Sequence, residues 1–145
     1  MQNLLDFKSE LLDNLGASYN PNFGTTPTEG YMVSVRPEIK TTLLSAPINK
    51  AIQKIVGDYC IELQNENYFL GGWIENGLCY FDLSFNTTSI GYAIELGILN
   101  NQLAIYDVAN KVCIDLPKPQ TSGTETQKIQ YARLKAIEMI SSLNQ

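Results

Sequence analysis

The sequence predicts an α+β protein: an antiparallel sheet of two hairpins plus a short strand, with helices packed mainly on one face. Three observations lead to this class. An Asn-Gly pair separates two runs of alternating apolar residues, which is typical of a β-hairpin. Apolar residues recur at helical spacing before, between and after the β-type runs. The length of 145 residues fits one domain, so residues 1–145 are expected to share a single core.

The first third of the chain predicts one helix and two short extended pieces. Leucines at helical spacing predict a helix from Asn3 to Leu15. Residues 17–30 are rich in turn formers and are predicted to be a loop. Tyr31–Val35 is rich in residues that favour strands, and Thr41–Leu44 is a second candidate for extended structure.

A second helix is predicted from Pro47, which fits a first helical turn, to about Asn65. Its polar face places cations near the N-terminus and anions near the C-terminus, an order that opposes the helix macrodipole by about 0.3–1 kcal/mol per charge. Two interpretations remain open, a solvated face that tolerates this penalty and a stripe arranged for a partner. The polar face, at intervals of four residues, is Lys50, Lys54, Asp58, Glu62 and Glu66.

Asn76-Gly77 predicts the central hairpin, because a type I′ turn needs positive φ at both of its middle positions. That register places Trp73 opposite Tyr80 and Gly71 opposite Asp82. Because side chains alternate along a strand, the register also sorts them into two faces. The expected core face is Tyr68, Leu70, Gly72, Ile74, Cys79, Phe81, Leu83 and Phe85.

The other face of the hairpin is the strongest candidate for function. Aromatic residues surround the single carboxylate of Asp82, and Gly71 opposite is expected to leave that carboxylate uncovered. This combination resembles the centre of a protein interface, where Trp and Tyr supply contact area. The alternative is that a helix covers the face and that Asp82 caps a backbone group or pairs with Arg36. The aromatic residues concerned are Phe69, Trp73 and Tyr80.

The C-terminal part predicts a helix, a hairpin and a final helix. A helix-entry cluster ends at Ser89, and the helix is expected to reach Asn100. Leu103–Tyr106 and Val112–Leu116 form the second hairpin, and residues 117–124 form a linker. The final helix, Glu125–Leu143, is a packing helix or a dimer surface rather than a membrane binder. Its apolar stripe is Ile129, Ala132, Leu134, Ile137, Ile140 and Leu143.

The charge distribution indicates a cationic partner. The net charge is −5, and between Lys54 and Lys111 there is no Lys, Arg or His. A negative field repels phosphates, so direct nucleic-acid binding is not expected, whereas a basic protein surface would be attracted. No signal peptide and no apolar run of membrane length is found, so we expect a protein of the host-cell cytoplasm that does not bind membranes. The seven carboxylates of this stretch are Asp58, Glu62, Glu66, Glu75, Asp82, Glu95 and Asp107.

The residue types argue against an enzyme. Without histidine, neither a Ser-His nor a Cys-His nucleophile can be assembled. Cys60, Cys79 and Cys113 lie far apart without metal-ligand spacing, so no metal and no cofactor is predicted, and reduced, buried thiols are expected. A carboxylate pair that includes Asp82 could still perform acid–base chemistry or hold Mg²⁺, which leaves a small carboxylate enzyme as a third hypothesis.

The central stretch resembles small proteins of bacteriophages and integrative elements. Residues 71–84 have the form G-x-W-x-x-x-G-x-x-Y-x-D-x-S, a helix with Ala93 and Gly97 follows, and residues 101–107 have the form N-Q-x-A-I-Y-D. The match covers about residues 69 to 116. These proteins have no settled activity, so the resemblance implies only origin in a mobile element and an accessory role inside the host cell.

Together these features favour a non-enzymatic accessory protein of a phage or mobile element. It would bind a host protein that has a basic surface, and inhibit a nucleic-acid-handling or defence complex by presenting carboxylates at phosphate-like spacing. The alternative is a virion or self-assembling structural protein, and a homodimer is left open. The predicted partner-binding residues are Asp58, Glu62, Glu66, Phe69, Trp73, Glu75, Tyr80 and Asp82.

Overall fold

The computed structural model describes residues 3–143, which form four α-helices and seven β-strands in antiparallel pairs, and the predicted α+β class is confirmed. The helices are α1 (Leu4–Asn14), α2 (Ser45–Asp58), α3 (Ile90–Leu99) and α4 (Glu125–Leu143). The strands are β1 (Gly16–Tyr19), β2 (Tyr31–Ser34), β3 (Ile39–Thr41), β4 (Tyr68–Glu75), β5 (Leu78–Thr87), β6 (Ala104–Asp107) and β7 (Val112–Asp115).

The described chain divides into two compact units. The first contains the residues up to Pro27 and Arg36–Phe85, and the second contains Thr28–Val35 and the residues from Asn86 onward. The boundary at Asn86 falls inside β5, so one strand contributes residues to both units. The single domain over residues 1–145 stays a prediction.

The first unit is a four-stranded antiparallel arrangement with strand order β1-β4-β5-β3. Both of its helices pack on the same face of these strands, as the sequence predicts. Phe7 of α1 and Ile55 of α2 are fully buried in the same cluster as Leu70 of β4 and Phe81 of β5. The other members of this core are Leu11, Tyr19, Ile48, Ala51, Ile52 and Cys79.

The central hairpin has the predicted register. Trp73 pairs with Tyr80 and Gly71 pairs with Asp82, and the turn residues Asn76 and Gly77 have φ of 52° and 76°. Both values are positive, as a type I′ turn requires. Local turn chemistry therefore fixes which side chains share a face.

The second unit pairs β2 with β6 and β6 with β7, all antiparallel. Ser89 caps α3 by accepting a hydrogen bond of 3.1 Å from the backbone N–H of Tyr92. A reciprocal capping box starts α4, since Gln127 N donates to Thr124 Oγ1 and Thr124 N donates to Gln127 Oε1. Both predicted helix starts are therefore supported by side-chain caps.

The apolar stripe predicted for α4 is wrong in part. The helix packs against α3, and its buried side chains are the small ones, Ala132 and Ala136. Small residues allow two helices to approach closely, whereas a hydrophobic pattern emphasises the large ones. Three large side chains of the predicted stripe remain exposed: Leu134, Ile137 and Leu143.

The three largest boundary differences from the sequence-based expectation are as follows. The loop predicted for residues 17–30 begins later, because Gly16–Tyr19 forms β1 against β4. The second extended piece is Ile39–Thr41 rather than Thr41–Leu44. The second helix ends at Asp58 instead of Asn65, and a single 3₁₀ turn, Glu62–Gln64, follows it. Gly57 and the carboxylates that follow it disfavour helix continuation, which accounts for this early end.

Candidate protein-binding surface

The face of β4 and β5 that points away from α1 and α2 is the candidate surface, and we name it the aromatic face. Its residues follow from the strand register. One row runs across four strands: Gly16, Trp73, Tyr80 and Lys40. The remaining members on β4 and β5 are Glu75 and Leu78 at the turn end, then Gly71 with Asp82, and Phe69 with Ser84.

Trp73 and Tyr80 form a parallel stack at the centre of this face. Their ring centroids are 5.3 Å apart and the ring planes differ by 8°. Both side chains are half-buried. Gly16 beside Trp73 has no side chain, and Lys40 beside Tyr80 is exposed. The pair therefore forms a pre-packed aromatic block, which loses little side-chain entropy when it is covered.

The Asp82 carboxylate is buried, and the expectation that Gly71 leaves it uncovered is wrong. The residue is 4% exposed. A Cβ added at Gly71 would lie 2.5 Å from Asp82 Oδ1, so the carboxylate occupies the space that a side chain there would need. Ser84 Oγ donates a 3.2 Å hydrogen bond to the same oxygen. The absence of a side chain at position 71 thus lets Asp82 lie across β4.

Burial divides the aromatic face into an inner and an outer part. Phe69, Asp82 and Ser84 are buried, while Trp73 and Tyr80 are half-buried and Glu75 is exposed. The inner part is covered, and the outer part remains accessible to a partner.

The predicted acidic stripe does not form, because its three carboxylates lie on three different elements. Asp58 ends α2, Glu62 begins the 3₁₀ turn, and Glu66 lies in the turn before β4. The prediction that these carboxylates are regularly spaced along one helix is therefore wrong. Since α2 packs on the core face of the sheet, Asp58 also lies in a different layer from the outer aromatic face.

Two of these carboxylates are paired with cations of the same chain. Lys54 Nζ lies 2.8 Å from Asp58 Oδ2, and this hydrogen bond raises the pKa of Lys54. Arg36 is 3.9 Å from Glu62 Oε2 and 5.8 Å from the centre of the Tyr59 ring. Of the eight predicted residues, the five on the hairpin lie on one face of it, whereas Asp58, Glu62 and Glu66 lie outside the two strands.

Asn20 is a buried residue whose importance the sequence reasoning missed. Its side chain is 0% exposed and holds the loop after β1 against the segment that carries Glu62 and Glu66. An Asn-Pro-Asn-Phe-Gly sequence signals a turn, but nothing local indicates that its first residue bonds to a segment 43 positions away. Nδ2 donates to the carbonyls of Leu63, Asn65 and Tyr68, and Oδ1 accepts from the backbone N–H groups of Asn22 and Phe23.

The cysteines occupy two kinds of environment. Cys79 is buried on the core face, and burial raises the pKa of its thiol, which a backbone hydrogen bond at Tyr80 partly offsets. Cys60 and Cys113 are exposed, so the expectation of three buried thiols is wrong for these two. Within residues 3–143, no group of three or more Cys, Asp or Glu side chains is placed to hold a metal ion.

No helix in the described part of the chain is long and apolar enough to cross a membrane. Comparisons with protein-family models, with curated proteins and with solved structures found no match. The resemblance to phage and integrative-element proteins stays a prediction.

Proposed function

We propose that this protein is a non-enzymatic accessory protein of a phage or mobile element, and that it binds a host protein through the outer aromatic face. The observation that supports this most is the Trp73–Tyr80 stack, 5.3 Å between centroids, on the side of the sheet that α1 and α2 leave uncovered. Trp and Tyr are enriched where binding energy concentrates in protein interfaces.

The surroundings of the stack suit a protein partner. Lys40 and Glu75 lie at its edges and are exposed. Charges at the rim of an interface guide orientation and the rate of association more than they add affinity. The stack therefore has an apolar centre and a polar rim, as protein-binding sites do.

Inhibition of a nucleic-acid-handling or defence complex remains part of this proposal, with a changed basis. The carboxylates do not follow one helix at the spacing of phosphates, because α2 ends at Asp58. The net charge of −5 still attracts a basic partner at long range. Such attraction is screened by salt, so the association rate should fall as ionic strength rises.

Affinity capture from a bacterial host lysate, followed by mass spectrometry, tests the proposal. The wild-type chain should retain a host protein that the Trp73→Ser/Tyr80→Ser variant loses. Leu103→Ser/Val112→Ser is the matched control, since it also removes two exposed apolar side chains but in the other unit. Equal recovery of the same protein by both variants and the wild type would reject binding through the outer aromatic face.

Self-association is a second candidate function, and the exposed side of α4 favours it. Leu134 and Ile137 lie three residues apart on this helix and both are exposed. They would support a homodimer or a larger assembly, as in a virion component. Light scattering coupled to size-exclusion chromatography distinguishes the two functions: a mass that falls on Leu134→Ser/Ile137→Ser supports assembly, and a monomeric wild type rejects it.

A further inference from the structure

One side of the Trp73 indole is covered by Tyr80, and the other side is open. The two rings are nearly parallel with centroids 5.3 Å apart, and rings lying side by side in one plane would collide at that distance. They are therefore stacked face to face across β4 and β5. The opposite side of the indole points towards β1, where its neighbour in the register is Gly16.

An empty space lies above Gly16, beside the open side of the indole. Among the described residues beyond its chain neighbours, a Cβ placed on Gly16 would meet only the carbonyl oxygen of Gly72, at 3.7 Å. No indole atom lies within 4 Å of that Cβ position. Neighbouring strands are about 4.8 Å apart, so one flat group fits against the indole above β1. We name this space the indole slot.

A carboxylate lies beside the slot on the same face of the sheet. Glu75 follows Trp73 by two residues on β4, which places it on the same face, roughly 7 Å nearer the turn. Its side chain is exposed and long enough to reach a group bound against the indole. Within residues 3–143, no cation pairs with the Glu75 carboxylate or lies over the indole.

The other charged members of the aromatic face leave the slot free. Lys40 lies beyond Tyr80, on the far side of the stack from Gly16. The Asp82 carboxylate occupies the space over Gly71 and is buried. In the strand order β1 is the outermost strand, so a ligand can enter the slot from the side that is farthest from Lys40.

We infer that the indole slot binds an arginine side chain of the partner protein. This assignment rests on the proposed function, because it names the group that the outer aromatic face recognises. A guanidinium is planar, stacks on aromatic rings and donates hydrogen bonds to a carboxylate from its edge. One arginine therefore contacts both Trp73 and Glu75, whereas a lysine ammonium has no flat surface to place against the indole.

The indole N–H signal of the single tryptophan reports directly on the slot in a proton–nitrogen correlation spectrum. The probe is the blocked tripeptide acetyl-Gly-Arg-Gly-amide, titrated into the full-length chain. It should shift the Trp73 signal along a saturable curve. The same tripeptide with citrulline has the shape of arginine without its charge, and should bind at least about fivefold more weakly. The lysine tripeptide should also bind more weakly than the arginine tripeptide.

Two variants test the two sides of the site. Gly16→Val places a side chain in the slot and should abolish the shift, while its unfolding curve stays close to that of the wild type because the new Cβ makes only an ordinary contact. Glu75→Gln should weaken arginine binding roughly two- to fivefold, the contribution of an exposed ion pair. Glu10→Gln is the matched control, since it removes the same charge from α1 on the core side of the sheet, and it should bind as the wild type does.

Three results would each overturn the inference. They are the absence of a saturable shift with the arginine tripeptide, equal affinity for the citrulline tripeptide, and unchanged binding by either Gly16→Val or Glu75→Gln.

Host capture separates this inference from the proposed function. If the arginine tripeptide fails to bind but capture still depends on Trp73, only the inference is wrong. If the tripeptide binds in the slot and capture does not depend on Trp73, only the proposed function is wrong. If both are right, Glu75→Gln should weaken capture of the host protein and Glu10→Gln should not.

Discussion

The two faces of the β4–β5 hairpin have the same backbone and opposite roles. On the core face, Leu70, Cys79, Phe81 and Leu83 are fully buried, and Leu70, Cys79 and Phe81 belong to the cluster that α1 and α2 complete. On the aromatic face, burial falls from the Asp82 end to the turn, and the outer part is half-open. Strand alternation alone produces this division, since neighbouring residues point to opposite sides.

The comparison teaches that burial and apolar character are separable on one hairpin. Asp82 is polar and buried, whereas Trp73 is aromatic and only half-buried. On this face a carboxylate is buried with a hydrogen-bond partner while an aromatic ring stays partly open to water, so burial does not follow apolar character. Four experiments test this division, from the largest expected effect to the smallest.

Phe81→Ala should cause the largest loss of stability. Phe81 is fully buried, and its ring lies 6.4 Å from that of Phe7, centroid to centroid. Removing a buried Phe leaves a cavity and typically costs about 3–5 kcal/mol. Chemical denaturation monitored by circular dichroism measures this cost. A change below about 1 kcal/mol would mean that the core face does not stabilise the fold.

Gly71→Ala should cost about 1–3 kcal/mol, because the new methyl group would overlap the buried Asp82 carboxylate. Gly16→Ala on β1 is the matched control, since its Cβ would meet only Gly72 O at 3.7 Å, an ordinary contact. The same unfolding measurement compares the two variants. Equal stabilities would show that Asp82 can leave its buried position freely.

Trp73→Ser/Tyr80→Ser should have a smaller effect on stability. Aromatic stacking contributes about 0.5–1.5 kcal/mol beyond burial, and both rings are already half-exposed to water. Urea denaturation should therefore give a far smaller loss than for Phe81→Ala. A loss as large as that of Phe81→Ala would make the stack a core element and remove the contrast between the faces.

Raising the pH should cause the smallest loss, through Cys79. Burial raises the pKa of its thiol, so the folded state keeps the proton that the unfolded state releases first. The contribution of the protonated Cys79 thiol to the free energy of unfolding is fully present below the pKa that the thiol has in the unfolded chain. It is lost as the pH rises towards the higher pKa of the thiol in the folded protein. Cys79→Ala should flatten the fall in stability at alkaline pH, and an unchanged slope would contradict the assignment.

Alkylation of the wild type should label Cys60 and Cys113 quickly and Cys79 slowly.

Local signals predicted the hairpin well and its environment poorly. Asn76-Gly77 determines the register because a two-residue turn leaves one pairing, and both φ values agree. The end of α2 was missed, because the apolar spacing continues beyond Asp58 while the charges and Gly57 oppose the helix. Hydrophobic periodicity shows which residues a helix could bury. It does not show at which residue the backbone hydrogen bonds of the helix end.

Features that depend on distant parts of the chain were also missed. The Asn20 side chain bonds carbonyls more than 40 residues away, and no turn preference encodes that partner. The exposure of Leu5 and Leu134 follows from which side of each helix packs, which periodicity leaves open when apolar residues cover a wide arc. The fold class was therefore predictable, and the accessible surfaces were not.

Fluorescence of the single tryptophan, Trp73, gives the most direct test of the central claim that the outer aromatic face binds a partner. The purified host protein recovered by affinity capture would be replaced by a tryptophan-free variant and titrated into the wild-type chain. We predict saturable emission at shorter wavelength and weaker quenching by acrylamide, because the partner would exclude water from the indole. Formation of the complex with no change in either signal would contradict the claim.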